Sequence, residues 1–161
     1  MKLLLCIVAL ILCVACDTQA SKSKQENPVH KGVQYNGLHE RTDRKVLSDL
    51  TGVDPMRTEW CAAFVNAVLE ESNIISNSDH KYPLTARAFL DWGRPVNEPM
   101  SGDVVIFPRG DQSWQGHVGF YIGQKVINDV VYYLILGGNQ RNKVSIVTYR
   151  ASSALGIRRQ K

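Results

Sequence analysis

The spacing of apolar and polar residues changes along this chain from a helical period to an alternation typical of strands. In the first half, a helix is predicted directly after Thr58, which can act as its N-cap. Its apolar residues follow the spacing i, i+3, i+4 and i+7 of one helix face: Cys61, Phe64, Val65, Val68 and Leu69. Two further helices are predicted over 43–50, between Thr42 and Gly52, and over 85–92.

Four segments of the second half are predicted to be strands, because they are rich in β-branched and aromatic residues and are separated by short connections. These segments are 103–107, 117–122, 130–136 and 144–149. Helices followed by sequential strands predict an α+β fold, in which N-terminal helices pack on a mainly antiparallel sheet of about four or more strands. The basic tail of Arg158, Arg159 and Lys161 is predicted to be a solvated end.

An apolar run near the N-terminus indicates export. Residues 3–15 are 13 consecutive apolar residues after Lys2, too few for a membrane-spanning helix of ~20 residues but typical of a secretory signal peptide. Small residues precede Cys16, so residues 1–15 are predicted to be a lipoprotein-type signal peptide, cleaved before Cys16, which then carries the lipid. Ordinary cleavage after Ala20 and retention of the segment as an uncleaved anchor are the competing interpretations.

The remainder of the chain is predicted to be a tether followed by one domain. Residues 16–36 are rich in Ser, Lys, Gln and Asn and are predicted to be a flexible tether, which leaves 37–161 as the folded domain. The 161 residues are 44% hydrophobic and 21% charged, which excludes collagen-like, disordered and coiled-coil chains. With 19 basic and 15 acidic residues, the net charge is only +4, and the basic residues are dispersed, so no nucleic-acid partner is expected.

Most of the cysteines belong to the predicted signal. Cys6, Cys13 and Cys16 lie within it or at its cleavage point, which leaves Cys61 as the only cysteine of the domain. A single cysteine can form neither an intramolecular disulfide nor a thiolate zinc site, and the histidines lack metal-ligand spacing. We therefore expect no metal. A lone thiol in an exported protein is at risk of oxidation, so its presence indicates a chemical role.

Three polar residues can combine into a nucleophilic site. If Thr58 is the N-cap, Cys61 occupies the first helical turn, where the positive helix end favours a thiolate. His117 begins a predicted strand between glycines, so its ring can face the helix that carries Cys61. Asn139 follows the next strand after Gly137 and Gly138, near the start of the His117 strand, and can orient the imidazole.

Each of these residues also has a purely structural interpretation. A cysteine on an apolar helix face is commonly a small core residue, and a histidine at a strand start is commonly a turn residue. An asparagine after two glycines commonly forms a turn. The tryptophans Trp60, Trp92 and Trp114 are interpreted mainly as packing residues, although Trp114 lies in a loop before His117 and can line a cleft.

Five sequence blocks decide between these interpretations. In chain order they are 59–66 (EWCAAFVN), 101–107 (SGDVVIF), 114–120 (WQGHVGF), 136–140 (LGGNQ) and 155–159 (LGIRR). Together they resemble the CHAP branch of the NlpC-type cysteine peptidases and amidases, a papain-like superfamily that cuts peptidoglycan. The closest resemblance is to small phage and bacterial cell-wall hydrolase-like proteins, and it covers roughly 37–159.

The resemblance implies a role for each matching residue. It implies that Cys61 is the nucleophile, His117 the base and Asn139 the third polar member of the site. Many CHAP domains carry a carboxylate near this point, whereas this chain has Gly137 two residues before Asn139, so Gln140 stays open as an alternative third member. Further candidates for substrate binding or the oxyanion hole are Trp60, Glu59, Trp114 and Gln140.

The resemblance also implies a function. The expected activity is that of an exported amidase or endopeptidase, which cleaves an amide of the peptidoglycan peptide through a thioester and needs no cofactor. It is expected to be a monomer, anchored by lipidated Cys16 to a membrane of the bacterial envelope and facing the periplasm or wall. The alternatives are a non-catalytic envelope lipoprotein that binds wall peptide or a protein partner in the same cleft, and an amidohydrolase with another exported substrate.

Overall fold

The computed structural model of this protein describes residues 24–161. The predicted signal peptide (1–15), the predicted lipidation site Cys16 and the first part of the predicted tether lie outside the described residues. Among residues 24–161, no helix is both long enough and apolar enough to cross a membrane.

A short helix, α1 (Pro28–Gly32), begins the folded part of the chain and continues into a 3₁₀ turn, Val33–Tyr35. The side chain of Asn27 caps α1 by accepting a backbone N–H two residues further on at 2.9 Å. A Cβ on Gly32 would lie only 3.0 Å from a leucine side chain of the sheet, so this helix packs closely on the core. The flexible tether predicted for 16–36 is therefore wrong from residue 28 onward, because this segment is folded against the domain.

The two longer helices lie close to where the sequence predicts them. Helix α2 (Arg44–Thr51) confirms the helix predicted over 43–50 and ends at a glycine in the left-handed conformation. Helix α3 (Cys61–Glu71) confirms the helix predicted after Thr58. Its N-cap is Trp60 rather than Thr58, which makes Cys61 the first helical residue instead of the third. The third predicted helix is the shorter 3₁₀ segment Ala86–Leu90.

In the described part of the chain, six antiparallel strands form one sheet in the order β1-β6-β2-β3-β4-β5. Their bounds are β1 (Arg94–Pro95), β2 (Val104–Pro108), β3 (Gly116–Ile127), β4 (Val130–Gly137), β5 (Ser145–Arg150) and β6 (Gly156–Arg159). The four predicted strands are confirmed as β2 to β5, with β3 longer than predicted. A further 3₁₀ turn, Ala151–Ser153, joins β5 to β6.

The C-terminal residues belong to the sheet, and the prediction of a solvated end is wrong. Strand β6 pairs with both β2 and β1. The guanidinium of Arg159 donates to the two carboxylate oxygens of Asp103 at 2.8 and 2.7 Å, and Asp103 is buried. A buried carboxylate needs such a partner, so this ion pair holds the last strand in place.

The sheet has a buried apolar layer on each face. Helix α3 packs on one face, where it meets alternate residues of β2, β3 and β4, and these form the larger core with Trp60 and Phe64. The other face carries a smaller cluster around Phe107 and Ile135, against which Tyr149 packs. Residues 24–161 therefore form an α+β structure with three α-helices and a six-stranded antiparallel sheet. The start of α3, the start of β3 and the end of β4 meet at one end of this sheet.

Candidate active site

Cys61 lies at the first position of α3, at the base of a surface cavity of about 160 Å³. Its side chain is only 3% exposed. The backbone N–H groups of Val118 on β3 and of Ala62 act on its sulfur and favour the charged form of the thiol. Because Val118 directly follows His117, the thiol lies at the strand start that carries the predicted base.

His117 is held rigidly at the start of β3. Its ring is 1% exposed and stacks on Tyr149, with the ring centroids 5.4 Å apart and the planes at 21°. Nε2 of His117 lies 3.2 Å from Oε1 of Gln140. Within residues 24–161, Nδ1 of the same ring is buried and has no hydrogen-bond partner. Since an amide oxygen can only accept, Nε2 carries the proton of the neutral ring, and Nδ1 presents a lone pair.

The orientation of Gln140 is decided by its amide nitrogen. That nitrogen donates to the carbonyl oxygens of Ile135 at 3.3 Å and Gly137 at 3.2 Å, and also to the carbonyl of Ser145. Because the amide nitrogen of Gln140 is directed at these acceptors, its amide oxygen Oε1 faces His117. The polar side chain that contacts His117 is thus Gln140, the alternative that the sequence leaves open.

Asn139, the first choice for that role, faces a different partner. Its side-chain Nδ2 donates to Oε2 of Glu59 at 2.6 Å, and its backbone has a positive φ of 53°. Because of this left-handed conformation, the side chain of Asn139 faces Glu59 just before α3, and the side chain of Gln140 faces inward to His117. Gln140 and not the predicted Asn139 is the partner of His117, because the turn decides which of the two adjacent side chains reaches the ring.

Two glycines make this arrangement possible. A Cβ on Gly137 would lie 3.3 Å from Nε2 of His117, and a Cβ on Gly138 would lie 2.6 Å from Cζ3 of Trp60 and 2.7 Å from Cβ of Phe64. The two distances at Gly138 are shorter than non-bonded carbon atoms tolerate. The glycine pair therefore lets the end of β4 approach both the imidazole and the start of α3.

The thiol and the imidazole are neutral in this arrangement. Burial raises the pKa of the Cys61 thiol, although the charge of Arg109 acts in the opposite direction. Burial, followed by the charge of Arg109, lowers the pKa of His117 to about 3, and the hydrogen bond to Gln140 opposes this shift only in part. The thiolate expected from the helix N-terminus is not the resting form, because desolvation outweighs the favourable helix end.

Cys61 contacts the residue after His117, but in the described part of the chain the two side chains do not bond to each other. Both are affected by the charge of Arg109, and the pKa of Tyr149, which stacks on His117, is raised by burial and in part by Cys61. One cluster thus contains a neutral thiol, a neutral imidazole with a free lone pair, and a cationic neighbour.

The cavity above Cys61 is lined by residues from four segments of the chain. They are Glu59, Cys61, Leu84, Thr85, Ala86, Arg109, Trp114, Gln115 and Gly116. Trp114 is 64% exposed and forms part of the rim, as the sequence allows. Trp60 is fully buried against Phe64 and does not line the cavity, so its candidacy for substrate binding is not supported. Its indole N–H donates to Glu40 at 3.3 Å.

Arg109 and Tyr149 also belong to this cluster, although no sequence motif marks either residue. Arg109 directly follows β2, and Tyr149 lies on β5, far from the cysteine and histidine blocks in sequence. The pairing of Phe107 with His117 across β2 and β3 is what brings Arg109 to the cavity. Only the position of Arg109 in a loop beside a strand end could have indicated it, since functional residues concentrate in such loops.

Comparison with protein-family models, with curated proteins and with solved structures finds no match to this chain. Among residues 24–161, no group of three or more His, Cys, Asp and Glu side chains is arranged to hold a metal ion.

Proposed function

We propose that this protein is a cysteine-dependent amidohydrolase of the CHAP type, which cleaves an amide bond of the peptidoglycan peptide as an amidase or endopeptidase. The observation that carries the proposal is the state of the His117 ring. One nitrogen is fixed by Gln140, and within the described residues the other is buried without a partner, at the strand start whose Val118 N–H contacts the sulfur of Cys61. An unpaired buried acceptor is costly, and a proton-accepting role is a reason for it to be retained.

The reaction begins from the neutral pair. Nδ1 of His117 accepts the proton of the Cys61 thiol as the sulfur attacks the amide carbonyl, which forms a tetrahedral oxyanion. Collapse of this intermediate forms a thioester and breaks the carbon–nitrogen bond, and the imidazolium gives its proton to the leaving amine. Water, deprotonated by His117, then attacks the thioester and releases the carboxylic acid and the thiol.

The start of α3 supplies the oxyanion site of this mechanism. The backbone N–H of Cys61 belongs to the first helical residue, so it has no acceptor within the helix. A donor in this position stabilises the tetrahedral intermediate by about 3 kcal/mol, by analogy with measured oxyanion-hole donors. The positive end of α3 acts in the same direction.

The choice of peptidoglycan rests on the family resemblance of the five sequence blocks. The papain-like fold is part of the same proposal, and a helix that begins with cysteine and packs on an antiparallel sheet that carries the histidine is consistent with it. Export and lipid anchoring at Cys16 would bring the domain to the wall. A Cys16→Ser variant should move from the membrane fraction to the soluble fraction of the envelope if Cys16 carries the lipid.

Product analysis on purified sacculi tests the activity. Wild-type protein should release new amino groups or peptides, identified by mass spectrometry, and Cys61→Ala should release none. Ser152→Ala, in the exposed 3₁₀ turn after β5, is the matched control and should retain full activity. Release that persists in the Cys61 variant, with both variants folded by circular dichroism, would rule out the thiol as nucleophile.

A second function is favoured by one observation, namely that burial keeps both the thiol and the imidazole neutral. A non-catalytic protein that binds wall peptide in the same cavity needs no charged pair. In that case sacculi would retain the protein without turnover, and Cys61→Ser would bind as well as the wild type. Turnover that depends on Cys61 would reject this alternative.

A further inference from the structure

An arginine shares the cavity with the candidate nucleophile. Arg109 follows β2, its side chain is 35% exposed, and it lines the same cavity as Cys61. Its charge acts on both Cys61 and His117. A guanidinium so close to a reacting thiol lies within reach of groups next to the scissile amide of a bound substrate.

The guanidinium is anchored on one side only. One of its NH₂ groups donates to the backbone carbonyl of Asn139 at 2.9 Å, which fixes its position relative to the end of β4. Its other NH₂ group lies 3.6 Å from Oε2 of Glu59, beyond ordinary hydrogen-bond distance. Arginine has five N–H donors in a planar fork, so donors remain for a planar acceptor such as a carboxylate.

Glu59 is a weak partner that another carboxylate can replace. Its side chain is 81% exposed, and the oxygen that approaches Arg109 already accepts the 2.6 Å hydrogen bond from Asn139. Exposed ion pairs of this kind contribute little, because water screens both charges and the side chains lose conformational freedom. A ligand carboxylate that enters the cavity can meet Arg109 with two parallel hydrogen bonds, which Glu59 does not form.

The other walls of the cavity fit a carboxylate-bearing peptide. Thr85, Ala86 and Gly116 are small, and Trp114 offers an exposed apolar surface at the rim. Within this lining, Arg109 is the only cationic side chain and Glu59 the only anionic one. The cavity can therefore distinguish a charged ligand from a neutral one at a single place, next to the sulfur of Cys61.

We propose that Arg109 is a specificity-determining residue, which binds a free carboxylate adjacent to the scissile amide and displaces Glu59 as it does so. The preferred substrate is then a peptide in which an acidic residue or an α-carboxylate lies beside the cleaved bond, rather than its amidated counterpart. This substrate preference rests on the proposed function, but carboxylate binding beside Cys61 can be measured without any turnover.

Alkylation of Cys61 by two small reagents isolates this recognition. Iodoacetate and iodoacetamide form the same sulfur–carbon bond and release iodide, but only iodoacetate carries a carboxylate. The rate constant for each is measured on the full chain by mass spectrometry of the Cys61 peptide and is divided by the value for free cysteine. The ratio of the two normalised rates reports carboxylate recognition, because a change in the thiol pKa affects both reagents alike.

In wild-type protein this ratio should exceed that of Arg109→Gln by about tenfold, as expected for a charge-assisted paired contact. Arg109→Lys, which keeps the charge and loses the fork, should be intermediate, and Glu59→Gln should raise the ratio. Arg94→Gln removes an exposed arginine on β1 and is the matched control, with an unchanged ratio. Equal slowing of both reagents in Arg109→Gln and Arg109→Lys would overturn the proposal and leave Arg109 with an effect on the thiol only.

The hydrolytic assay separates this inference from the proposed function. With wall peptides, Arg109→Gln should raise KM for the substrate with a free carboxylate about tenfold and leave KM for its amidated form unchanged. If no peptide is hydrolysed and the alkylation ratio still depends on Arg109, the proposed function fails and carboxylate recognition stands. If peptides are hydrolysed with equal preference for the acid and the amide in wild type and variant, the inference fails and the proposed function stands.

Discussion

Replacing Gln140 by Met tests the central feature of the site. The two side chains have similar volume, so the core around the loop stays filled, while every polar contact of the amide is removed. Gln140 accepts from Nε2 of His117 and donates to a set of backbone carbonyls. The amide has only two N–H groups, so it satisfies at most two carbonyls at once. The substitution therefore removes about three hydrogen bonds.

The expected magnitude follows from that count. At about 1 kcal/mol of net stability for each buried hydrogen bond, Gln140→Met should reduce the free energy of unfolding by about 3 kcal/mol and lower Tm by about 10 °C. The imidazole of His117 also loses the acceptor that keeps its proton on Nε2. With 1.4 kcal/mol for each factor of ten, kcat should fall about 10- to 100-fold, with a smaller change in KM.

Asn139→Ala is the discriminating control for this experiment. It removes the hydrogen bond to the exposed Glu59 and adds a modest strain at the left-handed backbone of residue 139, but it leaves every contact of His117 in place, so kcat should change less than about threefold. Nitrogen chemical shifts of the His117 ring give a readout that does not depend on substrate. Wild type should show a single tautomer with the proton on Nε2, and Gln140→Met a mixture of both. The reasoning is refuted if Gln140→Met keeps the single tautomer and wild-type kcat while Asn139→Ala loses activity.

Further predictions follow from burial and close packing. Because burial lowers the pKa of His117 to about 3, the unfolded state binds more protons than the folded state below pH 6.5. Stability in urea should therefore fall by about 1.4 kcal/mol per pH unit below pH 6.5. His117→Gln should remove this slope between about pH 6 and 5, above the range in which carboxylates titrate. The lowered pKa of His117 and the raised pKa of Cys61 leave both groups neutral over a wide range, so kcat/KM should stay level between about pH 4 and 9. A bell-shaped pH profile centred near neutrality would instead indicate a thiolate–imidazolium pair. Gly138→Ala places a Cβ 2.6 Å from the indole of Trp60, so thermal melts should show a loss of about 1–3 kcal/mol of stability. Gly123→Ala is the control, because its Cβ would have its nearest contact at 3.7 Å. It should change stability by less than about 0.5 kcal/mol.

Local patterns predicted most of the secondary structure and failed where a segment is stabilised by distant partners. The i, i+3, i+4 spacing behind Cys61 predicted α3, since such a stripe is stable only against a core. The same reasoning assigned 28–35 to a tether and left β6 out of the sheet. Both are short and polar, and they are held by contacts with residues far away in sequence, such as the ion pair of Arg159 with Asp103.

The sequence by itself determined which chemical groups are available: one cysteine in the domain, at the start of an amphipathic helix, and one histidine at the start of a strand. Only the tertiary structure decided their relationship. The left-handed backbone of Asn139 turns Gln140 rather than Asn139 toward His117, and the register of β2 against β3 brings Arg109 to the thiol. The physical reason is that side-chain identity is local, whereas burial, pairing and the resulting pKa shifts depend on residues that only folding brings together.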